Sequence, residues 1–97
     1  MESTVVNLQL QLLKEGETFI VYAPELDLSG YGPTPEDALR DFHNAFKIFI
    51  DETTKRGALE KALLELGWQK IIKNSKPEWK PPYEIITSME EKLAIPA

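Results

Sequence analysis

An apolar stripe at helical spacing, preceded by a strong capping sequence, constrains the fold of this chain more than any other feature. The hydroxyl of Thr34 can accept a hydrogen bond from the amide of Asp37, and Pro35 occupies the first helical position, where no N–H is needed. Glu36 and Asp37 lie at the positive end of the helix dipole. Apolar residues then recur at steps of three and four as Ala38, Leu39, Phe42, Ala45, Phe46, Phe49 and Ile50. The pattern predicts one long helix that ends at Gly57.

Three strand patterns precede this helix. Residues 6–12 alternate between apolar and polar side chains, so we expect a strand with one face on a core. Gly16 suits a tight hairpin turn, and residues 18–23 are typical of the returning strand, which Pro24 ends. Residues 28–32 predict a third, short strand that is bulged or lies at a sheet edge.

The residues after the long helix are less regular. We expect a shorter helix over residues 59–66, a fourth strand over residues 68–73, a proline-containing loop over residues 74–82, and short extended segments over residues 83–87 and 92–95. The predicted order is therefore β-β-β-α-α-β, an α+β fold in which an antiparallel sheet of three to four strands carries one long helix on one face. The 97 residues predict a single domain, with residues 74–97 as an extended tail that contains prolines and lysines.

Composition excludes several kinds of chemistry. The chain has no cysteine, so disulfides, thiolate zinc sites, iron–sulfur clusters and cysteine nucleophiles are excluded. Its single histidine, His43, excludes multi-histidine metal sites. The Gly30-Tyr31-Gly32 sequence lacks the third glycine of a dinucleotide fingerprint, and we expect its glycines to serve a bulge and a turn. We expect no cofactor and no enzymatic activity. The sequence shows neither a membrane-spanning run nor a secretory signal over residues 1–13, which favours a cytoplasmic location.

Charge is distributed unevenly along the chain. The net charge is −5, but residues 1–54 hold three cations and ten acids, a balance of −7, and residues 55–97 carry +2. Acidic surface can serve solubility alone, and it can also steer a basic partner. Our candidate residues for a protein interface are the acids of one loop and of the helix start, with one aromatic residue: Glu25, Asp27, Tyr31, Glu36 and Asp37. A metal site is less favoured, because the first strand offers only amides on its polar face.

An alternative binding site lies near the C-terminus. Lysines interleave with tryptophan there, a pattern that can neutralise and stack on a single-stranded nucleic acid. The candidate residues for this contact are Lys73, Lys76, Trp79 and Lys80. The acidic balance of the whole chain argues against this alternative.

Two segments together resemble HicB-like antitoxins. They are Val21-Tyr22-Ala23-Pro24-Glu25-Leu26 and Gly32-Pro33-Thr34-Pro35-Glu36-Asp37-Ala38-Leu39, and the likeness extends over roughly residues 5–73. The resemblance implies a partial RNase H-like fold without nuclease carboxylates. It also implies a protein that neutralises a small, basic, RNA-cleaving toxin of the HicA-like type by covering its surface, or a solitary relative of such an antitoxin that serves as a stand-alone module.

The chain departs from this family at two places. Many members carry a C-terminal DNA-binding domain, whereas the residues after Trp68 form only a lysine-dotted, proline-rich tail, which puts DNA binding by this chain in doubt. The Pro-Gly-Cys element common before the third strand is replaced by Asp27-Leu28-Ser29-Gly30.

Because a small sheet leaves open edges, we also expect a homodimer or a higher oligomer.

Overall fold

A computed structural model describes residues 6–96 of the chain. Three strands are followed by two helices and two further strands, which confirms the expected α+β class. The elements are β1 (Gln11–Glu15), β2 (Thr18–Ala23), β3 (Leu28–Gly32), α1 (Pro35–Lys55), α2 (Leu59–Glu65), β4 (Gln69–Lys73) and β5 (Lys76–Lys80).

The first sheet is antiparallel, in the order β1-β2-β3. Gly16 has φ +60° in the β1–β2 turn, as expected for a tight hairpin. The strand predicted over residues 6–12 begins only at Gln11. Residues 6–10 lie outside the ladder, although Val6 and Leu8 still pack against the core.

Helix α1 begins as its capping sequence predicts. The Thr34 hydroxyl accepts a hydrogen bond from the amide of Asp37 at 3.1 Å, and Pro35 is the first helical residue. The apolar stripe places Ala38 and Phe42 against Val21 and Ala23 of β2, and these four residues form the first core cluster. The helix therefore covers one face of the first sheet.

The glycines of β3 serve a different purpose from the one predicted. Neither Gly30 nor Gly32 has a positive φ, and β3 keeps an unbroken register with β2, so the strand is an edge strand without a bulge. A Cβ atom on Gly30 would lie 2.6 Å from the carbonyl oxygen of Ala38, and one on Gly32 would lie 2.7 Å from Cβ of Asp37. The missing side chains allow α1 to approach β3 closely.

The C-terminal half forms its own small sheet. The predicted fourth strand does not join the first sheet: β4 pairs with β5, and residues 76–80, predicted as loop, form that partner strand. Asn74 and Ser75 both have positive φ and form the two-residue turn between β4 and β5. The second core cluster joins this hairpin to α2 and to the β2–β3 turn through Leu26, Leu63, Trp68 and Trp79.

Residues 81–96 form neither helix nor strand. The extended segments predicted over residues 83–87 and 92–95 therefore have no ladder partner within the described chain. The large apolar side chains of this tail are exposed at Ile86, Met89, Leu93 and Ile95. Across residues 6–96, no helix has both the length and the hydropathy needed to cross a bilayer.

Candidate interaction surface

One face of the first sheet carries apolar and aromatic side chains that α1 does not cover. Alternation along the strands places Phe19, Val21 and Ala23 under the helix, so their neighbours in sequence point to the other side. The pairing aligns Leu13 with Ile20 and Ile20 with Tyr31. We call this surface the open face and define it by Leu13, Ile20, Tyr22 and Tyr31.

Tyr22 and Asp27 form a polar pair at one end of the open face. The Tyr22 hydroxyl donates a hydrogen bond to Oδ1 of Asp27 at 3.1 Å. This bond raises the pKa of Tyr22, and desolvation and the negative charge of Asp27 act in the same direction. Asp27 lies in the β2–β3 turn at φ 54°, so the turn itself positions the carboxylate beside the tyrosine.

Tyr31 is held by its backbone and leaves its ring free. Its amide donates to Oδ2 of Asp41 on α1 at 2.8 Å, which satisfies one N–H of this edge strand. Its side chain is 56% exposed on the open face. A tyrosine with a fixed backbone and an exposed ring loses little conformational entropy on binding, which makes Tyr31 a suitable anchor for a protein partner.

Glu25 lies in the interior rather than at the surface. Its side chain accepts a hydrogen bond from the amide of Gln9 through Oε2 at 3.1 Å, and its carbonyl oxygen accepts one from Nε1 of Trp68 at 2.9 Å. The residue is only 2% exposed, and Oε1 has no hydrogen-bond partner among residues 6–96. Glu25 therefore joins three distant parts of the chain and is not available for direct contact with a partner.

The remaining acids do not form one cluster. Asp27 precedes β3, whereas Glu36 and Asp37 follow it, so the length of a five-residue strand, about 16 Å, separates them. Asp37 is also paired with Arg40 at 2.9 Å. The end of the sheet nearest to Glu36 also carries the acids of the β1–β2 hairpin, Glu15 and Glu17. Negative charge thus flanks the open face at both ends.

The residues of the alternative site are also separated. Trp79 is buried in the second core cluster, so its ring is not available for a base to stack on. Lys73, Lys76 and Lys80 share one face of the β4–β5 hairpin, together with Glu78. The hairpin therefore presents lysines without the aromatic platform that the sequence pattern indicated.

The open face extends the sequence-based candidates. Of its four residues, only Tyr31 is among the residues singled out above, and Leu13, Ile20 and Tyr22 join it through strand alternation. The sequence does carry a signal for this surface. A strand face that meets only water is usually polar, but the open-face positions of β1 and β2 are apolar or aromatic.

No three histidine, aspartate or glutamate side chains converge in a metal-binding arrangement within residues 6–96. His43 is exposed on α1, with its ring 6.3 Å from that of Phe42.

Comparison with protein-family models, with curated proteins and with solved structures gave no significant match.

Proposed function

We propose that this chain is a non-enzymatic interaction protein of the HicB-like antitoxin kind, which binds a small, basic, RNA-cleaving toxin and covers its surface. The observation that carries the proposal is the open face, an apolar and aromatic surface with Leu13 and Tyr31 exposed, Ile20 and Tyr22 half-buried, and acids at both ends. The similarity of residues 21–26 and 32–39 to HicB-like antitoxins supplies the class of partner.

The chemistry of the open face supports a protein partner. Its two tyrosines and two aliphatic residues offer apolar contact area with few charges to desolvate. Aromatic side chains near the centre of such a surface contribute much of the affinity in many complexes. Tyr31 lies on the edge strand β3 rather than at the centre, but it offers an exposed aromatic side chain while its backbone is fixed by Asp41.

The charge distribution supports a basic partner. Residues 1–54 carry a balance of −7, and the first sheet lies within them. Asp27 flanks one end of the open face, and Glu15 and Glu17 flank the other. Lysine or arginine side chains of a partner would meet these carboxylates at the rim, where charge mainly accelerates association and selects the partner.

The antitoxin proposal requires that a short, Lys/Arg-rich protein be encoded beside this chain, and the experiment uses that protein. We expect the purified chain to bind it in calorimetry and to stop its RNA cleavage in a gel assay. Absence of such a neighbour, or cleavage that continues at saturating amounts of this chain, contradicts the proposal.

Variants locate the contact. Tyr31→Ala should weaken binding at least tenfold without unfolding the chain, because the exposed ring makes little contribution to the core. Asp27→Lys should slow association and make it less sensitive to salt. Glu52→Lys, a charge reversal at an exposed position near the C-terminal end of α1, is the matched control and should bind nearly as well as wild type. If Glu52→Lys weakens binding as much as the other two variants, the open face is not the contact surface.

A further inference from the structure

We propose that residues 86–96 of a second copy of this chain add a strand to the outer edge of β1, so that two copies exchange their tails. The added strand would fill an apolar groove between β1 and α1, on the side of the sheet opposite the open face. We define the groove by Leu8, Leu10, Leu12, Leu39, Phe42 and Phe46. The inference goes beyond the proposed function, since it needs no toxin and uses the other face of the sheet.

The groove exists because of where α1 lies. The glycines of β3 draw the helix against that strand, and α1 packs mainly on β3 and β2. β1 lies at the far side of the sheet, so the side chains that it and the preceding residues direct toward the helix are only partly covered. Leu10 and Leu12 are consequently 43% and 56% exposed beside Leu39.

The edge of β1 is available for pairing. β1 hydrogen-bonds to β2 on one side, and within residues 6–96 no strand pairs with it on the other. Such an edge presents backbone N–H and C=O groups to any extended segment. A strand added there directs every second side chain toward the helix side, which is the side of the groove.

The tail contains a segment that fits this edge. Leu93 and Ile95 alternate with Lys92 and Ala94, which is the pattern of a strand with one apolar face. Leu93 is 75% exposed and Ile95 is 93% exposed, so the described chain does not use this face. Paired with β1, the two side chains would lie next to Leu10 and Leu12 and cover the groove.

The path of the tail favours binding to the groove of a second copy over binding to the groove of its own chain. The tail passes Gly67 at Pro82, and Tyr83 comes close enough to Tyr22 to affect its ionisation, so it leaves on the side of the open face. The groove is on the opposite face of the sheet.

The size of the contact favours tail exchange over pairing of β1 with β1 of a second copy. Direct pairing would join only the five residues of each β1. Exchange engages residues 86–96 and the groove residues of each copy, roughly 20 residues a side, which approaches the size of a stable interface. The exchange is reciprocal, so a closed dimer with twofold symmetry results.

Cysteine cross-linking tests the proposal, because the natural chain has no cysteine. We would mix a Leu12→Cys variant of the full chain with an Ile95→Cys variant, and in a second mixture with a Leu93→Cys variant, under mild oxidation. We expect a disulfide-linked dimer on non-reducing gels in at least one mixture, to several times the level in any variant alone. Ile72→Cys, at a position 69% exposed on the β4–β5 hairpin, replaces Leu12→Cys in the control mixture and should give only background.

Other occupants of the groove give different results, each of which overturns the proposal. Efficient cross-linking of Leu12→Cys alone would indicate pairing of two β1 strands. A Leu12→Cys/Ile95→Cys double variant that closes a disulfide within one chain at high dilution would indicate the chain's own tail. A wild-type mass of 11.0 kDa in sedimentation equilibrium would show that the chain is a monomer, and the groove would then bind a different protein. We expect twice that mass, and a monomer with an unchanged circular dichroism spectrum for Leu93→Asp/Ile95→Asp.

Discussion

The carbonyl oxygen of Ala38 lies so close to Gly30 that a Cβ atom on the glycine would be 2.6 Å from it. This approach sets the position of α1 over the sheet. Because the helix lies against β3, it covers β2, leaves part of β1 uncovered on the same side, and does not reach the open face on the other. The open face and the groove, the two surfaces to which we assign binding, therefore both depend on the absence of a side chain at Gly30.

Gly30→Ala should lower the free energy of unfolding by about 1–3 kcal/mol or more, because the added methyl group meets helix backbone that cannot rotate away. Urea unfolding followed by circular dichroism measures the change. Gly16→Ala is the comparison: its Cβ meets no atom of residues 6–96 within 4 Å, and only the positive φ of +60° is strained, at about 1 kcal/mol. If Gly30→Ala is the less destabilising of the two, close packing is not the reason for the glycine.

Local patterns predicted the first half of the fold, because its elements are specified by neighbouring residues. The cap at Thr34, the helical stripe and the hairpin at Gly16 each depend on interactions within a few positions. Strand β5, and with it the pairing of β4, was missed because the prolines of residues 74–82 suggested a loop. In a two-stranded sheet both strands are edges, so a proline can be accommodated there.

Long-range contacts explain what the sequence could not reveal about the candidate site. Glu25 looked like a surface acid, but it is buried by partners 16 and 43 positions away, Gln9 and Trp68. The first strand also starts late because the backbone of Gln9 is hydrogen-bonded to Glu25. No pattern within a short window encodes these contacts. The cap that the Thr34 hydroxyl provides for the amide of Asp37, by contrast, follows from local spacing.

Glu25→Ala should destabilise the fold by about 1–3 kcal/mol, because it leaves the partly buried amide of Gln9 without its acceptor and opens space in the interior. Glu25→Gln retains an amide oxygen as acceptor and should lose less stability. Hydrogen exchange of the Gln9 amide reports the contact directly: protection should fall in Glu25→Ala and persist in Glu25→Gln. Equal loss of protection in both variants would mean that the side-chain bond does not hold residues 6–10 in place.

Asp27→Gly should lower the pKa of Tyr22 toward its ordinary value of about 10, because it removes the acceptor that favours the protonated hydroxyl, while glycine tolerates the positive φ. In the wild type the pKa of Tyr22 is raised in the folded state. The stabilisation from this bond is therefore present below the pKa of the unfolded chain and is lost as the pH rises through that of the folded chain.

An NMR titration of tyrosines labelled at Cζ measures this change, with Glu65→Gln on α2 as a control that should leave the titration of Tyr22 unchanged. The stability of the wild type should also approach that of Asp27→Gly as Tyr22 ionises. A pKa of Tyr22 that is the same in wild type and Asp27→Gly would show that the hydrogen bond is not the main cause of the shift.

Thr34→Ala should lower the free energy of unfolding by about 1 kcal/mol, since the first turn of α1 loses the acceptor for the Asp37 amide. Thr34→Ser keeps a hydroxyl at the same position, so its free energy of unfolding should fall by only a small part of that amount. Urea unfolding of the three proteins, together with hydrogen exchange at Asp37, separates the cap from a general surface effect. If serine is as destabilising as alanine, the methyl group of Thr34 rather than its hydroxyl stabilises the start of the helix, and the capping interpretation of this sequence is wrong.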